Sequence, residues 1–151
     1  MIKRLQHTNI DTAKTMKAVF QVSYKVEAEL LGAIDFPPLK RPLEGYTECS
    51  NTFYGYFIKD TLAGVIEIIH NADYTHVRSL VVDPKYFRKG IATQLMEFTL
   101  DKYDSKLFIV ETGAANGPAS ALYLKLGFTK VCEFDTPFGI RKVKFEKRIT
   151  G

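Results

Sequence analysis

The sequence is poor in several things. Only two cysteines, Cys49 and Cys132, occur in 151 residues, and neither has a Cys-x-x-Cys partner. The simplest reading is two free thiols in a reducing cytoplasm. The three histidines, His7, His70 and His76, lack ligand spacing, so no metal site is expected. No apolar run approaches membrane-spanning length, and the opening MIKRLQHTN has no signal-peptide core. The expectation is therefore a cytoplasmic protein with no membrane partner. Low-complexity tracts, internal repeats and a composition break are also missing, so one domain over residues 1–151 is expected. A net charge of +4 is too small to specify nucleic acid. The basic residues Arg141, Lys142, Lys144, Lys147 and Arg148 alternate with Val143 and Phe145, as in a half-exposed terminal strand.

The composition that remains, 46% hydrophobic and 25% charged, belongs to a globular chain. Met1 to Leu5 reads as a short strand. Thr8 and Asp11 resemble a capping box, and Ala13, Met16 and Phe20 follow at helical spacing. A second helical stretch carries Val26, Leu30 and Leu31 before Gly32. Asp35-Phe36-Pro37-Pro38-Leu39 reads as loop, because paired prolines break both helix and strand. Thr52 to Ile58 and Val65 to His70 flank a turn over Lys59 to Gly64, and a third strand ends at Val82. Ala92, Met96, Leu100 and Tyr103 define the next helix face. A buried strand over Leu107 to Val110 and a loop from Glu111 to Pro118 follow. A helix then carries Ala119, Leu122, Tyr123 and Leu126 to its stop at Gly127, and two last strands lie over Phe128 to Phe134 and Ile140 to Ile149. This order defines an α/β (α+β) domain around one sheet.

Ser79 to Ala92, SLVVDPKYFRKGIA, organises the rest. A strand (Leu80, Val81, Val82) is stopped by Asp83-Pro84, and Arg88-Lys89-Gly90-Ile91-Ala92 opens a helix. Gly90 permits close approach of a ligand to the backbone. The helix start offers unpaired N–H groups and partial positive charge, which suits a phosphate. By itself this is also what an ordinary crossover turn looks like.

A second motif, Asn116-Gly117-Pro118-Ala119-Ser120-Ala121-Leu122-Tyr123-Leu124-Lys125-Leu126-Gly127-Phe128, follows at a matching distance. Together the two closely resemble motifs A (Gln/Arg-x-x-Gly-x-Gly/Ala after a strand) and B (N-x-x-A-x-x-L-Y-x-K-x-G-F) of the GNAT superfamily of N-acetyltransferases. One departure stands out: Phe87 occupies the usual Gln/Arg position, with Arg88 beside it. That puts the strength of coenzyme binding in question.

The resemblance implies a mixed, mostly antiparallel twisted sheet whose central strands, ending at Val82 and Glu111, splay at the coenzyme site. It implies acetyl-CoA as co-substrate and no metal. The pyrophosphate would sit on Arg88, Lys89, Gly90, Ile91, Ala92 and Thr93, and the pantetheine would pair with the backbone of Leu80, Val81 and Val82. Asn116, Ala119 and Tyr123 would complete that site. The implied activity is direct acetyl transfer to a primary amine, small or peptidic, in a ternary complex. Tyr123 would donate a proton to the departing thiolate. Glu111 would act as base, with Glu67, His76 or a water as alternatives. The other functional class left open is a catalytically inactive coenzyme A-binding or regulatory module. A small nucleic-acid-binding domain is the third reading and is not expected. Family members often pair as dimers, so a homodimer stays open. The acceptor would be shaped by the N-terminal helices, the Phe36-Pro37-Pro38 loop and the Thr136-Pro137-Phe138-Gly139 loop. Tyr46, Phe53, Tyr54 and Tyr56 would line a pocket or belong to the core.

Overall fold

The computed structural model describes residues 1–149; Thr150 and Gly151, the end of the expected domain, lie outside the described residues. Seven strands form one sheet in the order β1-β2-β3-β4-β5-β7-β6. They are β1 (Ile2–Arg4), β2 (Thr52–Ile58), β3 (Thr61–His70), β4 (Thr75–Val82), β5 (Leu107–Gly113), β6 (Thr129–Asp135) and β7 (Arg141–Arg148). All neighbours are antiparallel except β4 and β5. The helices are α1 (Ile10–Leu31), a short α2 (Glu44–Thr47), α3 (Ile91–Lys102) and α4 (Gly117–Lys125). A mixed α/β architecture is thus what the chain adopts.

Two cores lie on the two faces of the sheet. Met16, Val19 and Phe20 of α1 pack with Tyr46, Phe53, Val65 and Val81 on one face. Ile91, Leu95 and Met96 of α3 and Tyr123 of α4 pack with Ile66, Val110 and Phe145 on the other. The strands alternate between the faces, so one strand serves both cores. Tyr46, Phe53 and Tyr54 are buried in these cores and Tyr56 packs against one of them, so none of the four lines a pocket.

Several local expectations shift. The two N-terminal helical stretches are one helix of 22 residues, because nothing between Phe20 and Val26 interrupts the backbone ladder. Its cap is Asn9, whose side chain accepts from the Thr12 N–H at 3.1 Å, and not Thr8. Pro37–Lys40 forms a 3₁₀ turn inside the expected loop, since proline is tolerated where no N–H is required. The β2–β3 turn is tighter than expected, with Leu62 to Gly64 already in β3 and Lys59 left-handed at φ 55. Helix α3 starts at Ile91 and buries Ile91, Leu95, Met96 and Thr99, with Ala92, Leu100 and Tyr103 at the margin of that face. Strand β5 runs on to Gly113, past the Glu111 end expected for it, because β7 continues to pair with it.

Candidate active site

The site begins with a register fault. On the β3–β4 ladder Glu67 faces Ser79, but Ile68 faces Val77, so Arg78 is an extra residue on β4. Such a bulge bends and twists the strand that carries it. The parallel ladder with β5 covers Thr75–Phe108, His76–Ile109 and Val77–Val110 and stops there. Beyond it β4 stays with β3 as far as Val82, and β5 stays with β7 as far as Gly113. The two central strands therefore part. The Asp83 N–H reaches back to the Ala63 carbonyl at 2.8 Å. Backbone groups alternate in direction along a strand, so the Val82 and Leu80 amides point the other way, into the gap. The Val82 N–H is met there by Ser23 Oγ of α1 at 3.3 Å.

Two cavities meet at this opening. One, of about 490 Å³, runs over the start of α3. It is lined by Leu80, Val82, Arg88, Gly90, Ile91, Ala92, Thr93, Asn116, Ala119 and Tyr123, all singled out in the sequence, and also by Phe87. Val81 and Lys89 do not line it: the Val81 side chain is in the α1-side core and Lys89 is exposed. The turn into α3 holds Arg88 at φ 64 and Gly90 at φ 74, both left-handed. Gly90 caps α3 with no side-chain hydrogen bond, which leaves the first N–H groups of the helix for a ligand. The sequence-level departure at Phe87 puts a ring, 44% exposed, at this mouth in place of a polar side chain.

The second cavity, about 840 Å³, lies on the α1 side. Its walls come from Tyr24, Glu27 and Leu31 of α1, from Phe36, Pro37 and Pro38, and from Thr136, Pro137 and Phe138. Both cavities share Glu27, Leu80, Asn116, Ala119 and Tyr123, so these residues form the neck between them.

The titratable groups around the neck differ sharply. Tyr123 is buried and packs against Phe128 and Phe145, with ring centroids 5.9 and 5.7 Å away. Burial, reinforced by the charges of Glu27 and Tyr24, pushes its phenol well above the usual tyrosine range. It holds its proton at neutral pH and has one to give. Glu111 lines only the larger cavity, where its Oε1 lies 3.8 Å from Lys142 Nζ.

Glu67 is fully buried and fully used. It accepts from Arg41 Nη1 at 2.8 Å and Nη2 at 3.0 Å, from Asn51 Nδ2 at 2.9 Å and from Ser79 Oγ at 2.8 Å. Burial alone would raise its carboxyl, but the Arg41 and Asn51 hydrogen bonds outweigh that and hold it below the usual range. A carboxylate so satisfied is a poor base. His76 is half-buried and lines neither cavity. Burial pushes its imidazole down, Glu111 partly offsets this, and the cations Arg78, Lys142 and Lys144 add to it.

The sequence reading passed over Glu27 and Arg41. Burial raises the Glu27 carboxyl, with a hydrogen bond from the Asn116 side chain and the charge of Lys142 opposing. Asn116 also caps α4, its Oδ1 accepting from the Ala119 N–H at 3.2 Å. Arg41 donates to the Gly45 carbonyl as well as to Glu67 and lies 4.3 Å from the Tyr46 ring centroid, so it ties the proline-rich loop to the sheet. The only sequence signal for Glu27 is its place one helical turn beyond Tyr24, which many surface residues share. Among the described residues no group of three or more His, Cys, Asp or Glu is placed to hold a metal ion, and no helix is long and apolar enough to cross a membrane.

A parted parallel strand pair, a left-handed turn into a helix and a two-chambered cleft are what this fold brings together. The family model described as "Acetyltransferase (GNAT) family" matches residues 19–128, and the chain belongs to that family. It is 35% identical over 131 residues to the UPF0157 protein YqkA of Bacillus subtilis (strain 168), covering 86% of this chain and 38% of that protein. It is 43% identical over 60 residues to the N-alpha-acetyltransferase of Saccharolobus solfataricus, covering 37% of this chain and 36% of that protein. The matched stretch thus covers well under half the length of either curated relative. Its fold is similar to that of the PaiA N-acetyltransferase from Thermoplasma acidophilum in complex with coenzyme A. The TM-score there is 0.70 at 20% identity, covering 99% of both chains.

Proposed function

We propose that this chain is a single-domain N-acetyltransferase that moves an acetyl group from acetyl-CoA to a primary amine in a ternary complex, without a covalent enzyme intermediate. The observation that carries the reading is the neck. A narrow cavity beside free strand and helix amides opens, at Tyr123, into a wider cavity that holds Glu111. The residues present fit the coenzyme. The edge of β4 at Leu80, left unpaired by β5, and at Val82, whose N–H meets only the Ser23 hydroxyl, suits an amide-bearing arm, and the amides of Ile91 to Thr93 with Arg88 suit a pyrophosphate. When bound, acetyl-CoA supplies an activated thioester carbonyl and a good thiolate leaving group.

The rest is the work of the chain. An amine enters the larger cavity as an ammonium, since alkyl ammonium groups have a pKa of about 10.4. Glu111 removes its proton, directly or through water, and Tyr123 protonates the sulfur as it departs. Glu67 serves instead to fix Arg41 and the loop that walls the acceptor side. Cys49 and Cys132 play no covalent part: Cys132 is exposed and lines neither cavity, and Cys49 lines only the acceptor side, away from the neck. The N-alpha-acetyltransferase relative and the open, partly apolar acceptor cavity support a peptide-sized amine. The reading places the protein in the cytoplasm, without nucleic acid, membrane or metal, and leaves a homodimer open.

The test is calorimetric titration with acetyl-CoA followed by thiol release over a panel of amines and short peptides. Binding with release on part of the panel supports the reading. Absence of binding removes it.

A further inference from the structure

Among the described residues, Lys142 is the one lysine that lines either cavity. It is the second residue of β7, opposite Gly113, and its ammonium lies 3.8 Å from Glu111 Oε1, with the side chain 38% exposed. Its neighbour Lys144 is engaged elsewhere, 3.4 Å from Glu146 Oε2, and lines neither cavity. The cavity read above as the amine site therefore already contains a primary amine, held against the carboxylate assigned to deprotonate amines. We propose that Lys142 is an acceptor in cis and that the protein acetylates its own Lys142 Nζ when no external amine occupies the cavity. This rests on the function proposed above.

The step balances without an added reagent. Glu111 takes one proton from the Lys142 ammonium, and the neutral Nζ attacks the thioester carbonyl carbon. The C–N bond forms, the C–S bond breaks, and the thiolate takes the Tyr123 proton. The second proton leaves the nitrogen for Tyr123 or solvent, so that the sum is an amide, free coenzyme A and one released proton. The flexible four-carbon stem of lysine lets Nζ leave Glu111 for the neck while β7 stays in place. Acetylation would also erase the cation that pairs with Glu111 and stands near Glu27, and so change the charge an incoming ammonium meets.

The experiment incubates the full chain with acetyl-CoA alone, follows intact mass and maps the modified peptide. One acetyl group on Lys142 is expected, at a rate per molecule independent of protein concentration. Lys142→Arg should remove that modification, and Tyr123→Phe should slow it about a hundredfold. Coenzyme titration of each variant shows that it is folded. Acetyl groups scattered over exposed lysines at a rate insensitive to Tyr123→Phe would be uncatalysed chemistry and would overturn the proposal. A rate rising with protein concentration would overturn the cis assignment. Turnover of external amines with Lys142 unmodified would remove self-acetylation and keep the transferase reading, whereas no acetyl-CoA binding would remove both.

Discussion

Tyr123 owes its protonation to apolar neighbours, and a phenylalanine fits the same space between Phe128 and Phe145. Tyr123→Phe should leave coenzyme affinity unchanged and lower kcat by about a hundredfold, read from steady-state kinetics beside calorimetry. Unchanged turnover would take the phenol out of the mechanism. Glu111→Gln keeps the shape of the larger cavity and removes the proposed base, so the fall in kcat/KM at low pH expected of that base should disappear. A variant that keeps that limb points to another group. Glu67 makes a prediction of the opposite kind, about stability. Its folded pKa is lowered, so its contribution is full above the usual carboxylate range and is lost as pH falls through the folded value. Glu67→Gln should therefore abolish part of the acid-side loss of stability in urea titrations. It should also cost about 3–5 kcal/mol at neutral pH, because the Arg41 charge is left half-buried without its partner.

At the scale of elements, two short caps set the neck. Asn116 closes the start of α4 with its oxygen and stands with Glu27 at the neck. Asn116→Ala should cost about 1 kcal/mol of stability in chemical denaturation. It should also raise acceptor KM more than it changes coenzyme binding, since the carboxylate of Glu27 beside it at the neck is then free to meet an incoming ammonium. Equal losses on the two sides would make the cap purely structural. The turn into α3 needs left-handed backbone at Arg88 and Gly90, and the sequence showed that turn plainly through its glycine, its Asp83-Pro84 stop and the strand before it. The bulge at Arg78 left no such mark. It arises from pairing between β3 and β4, a matter of register, and arginine has no special tendency to bulge. Asn9 was missed as the cap of α1 for a related reason: Thr8 and Asn9 are both good caps, and the three-dimensional start of the helix chooses between them.

For the molecule as a whole, the order of strands and helices was legible because each apolar period matched its element. The turn into α3 and the smaller cavity beside it were legible because local backbone motifs build them. The larger cavity was not, since it is assembled from α1, the Pro37–Lys40 turn and the β6–β7 turn, which meet only in the folded chain. The buried Arg41–Glu67 pair, 26 residues apart in sequence, belongs to the same class of long-range contact. A ligand that binds only the folded chain adds about 2.7 kcal/mol of stability at a hundredfold excess over its Kd. Acetyl-CoA should then raise Tm by several degrees in a thermal scan, and no shift at that excess would contradict the coenzyme site. The parted strands carry one more consequence. The sheet is two flaps, β1 to β4 and β5 to β6, stitched along the strand edge by only the Thr75, His76 and Val77 pairs. The free seam at Leu80 is open to solvent exchange, whereas a guest lodged there would act as a thread. Deuterium uptake at Leu80 should be fast in the free protein and slow once the seam is sewn, with the amides of β7 slowing beside it as the flaps stop breathing.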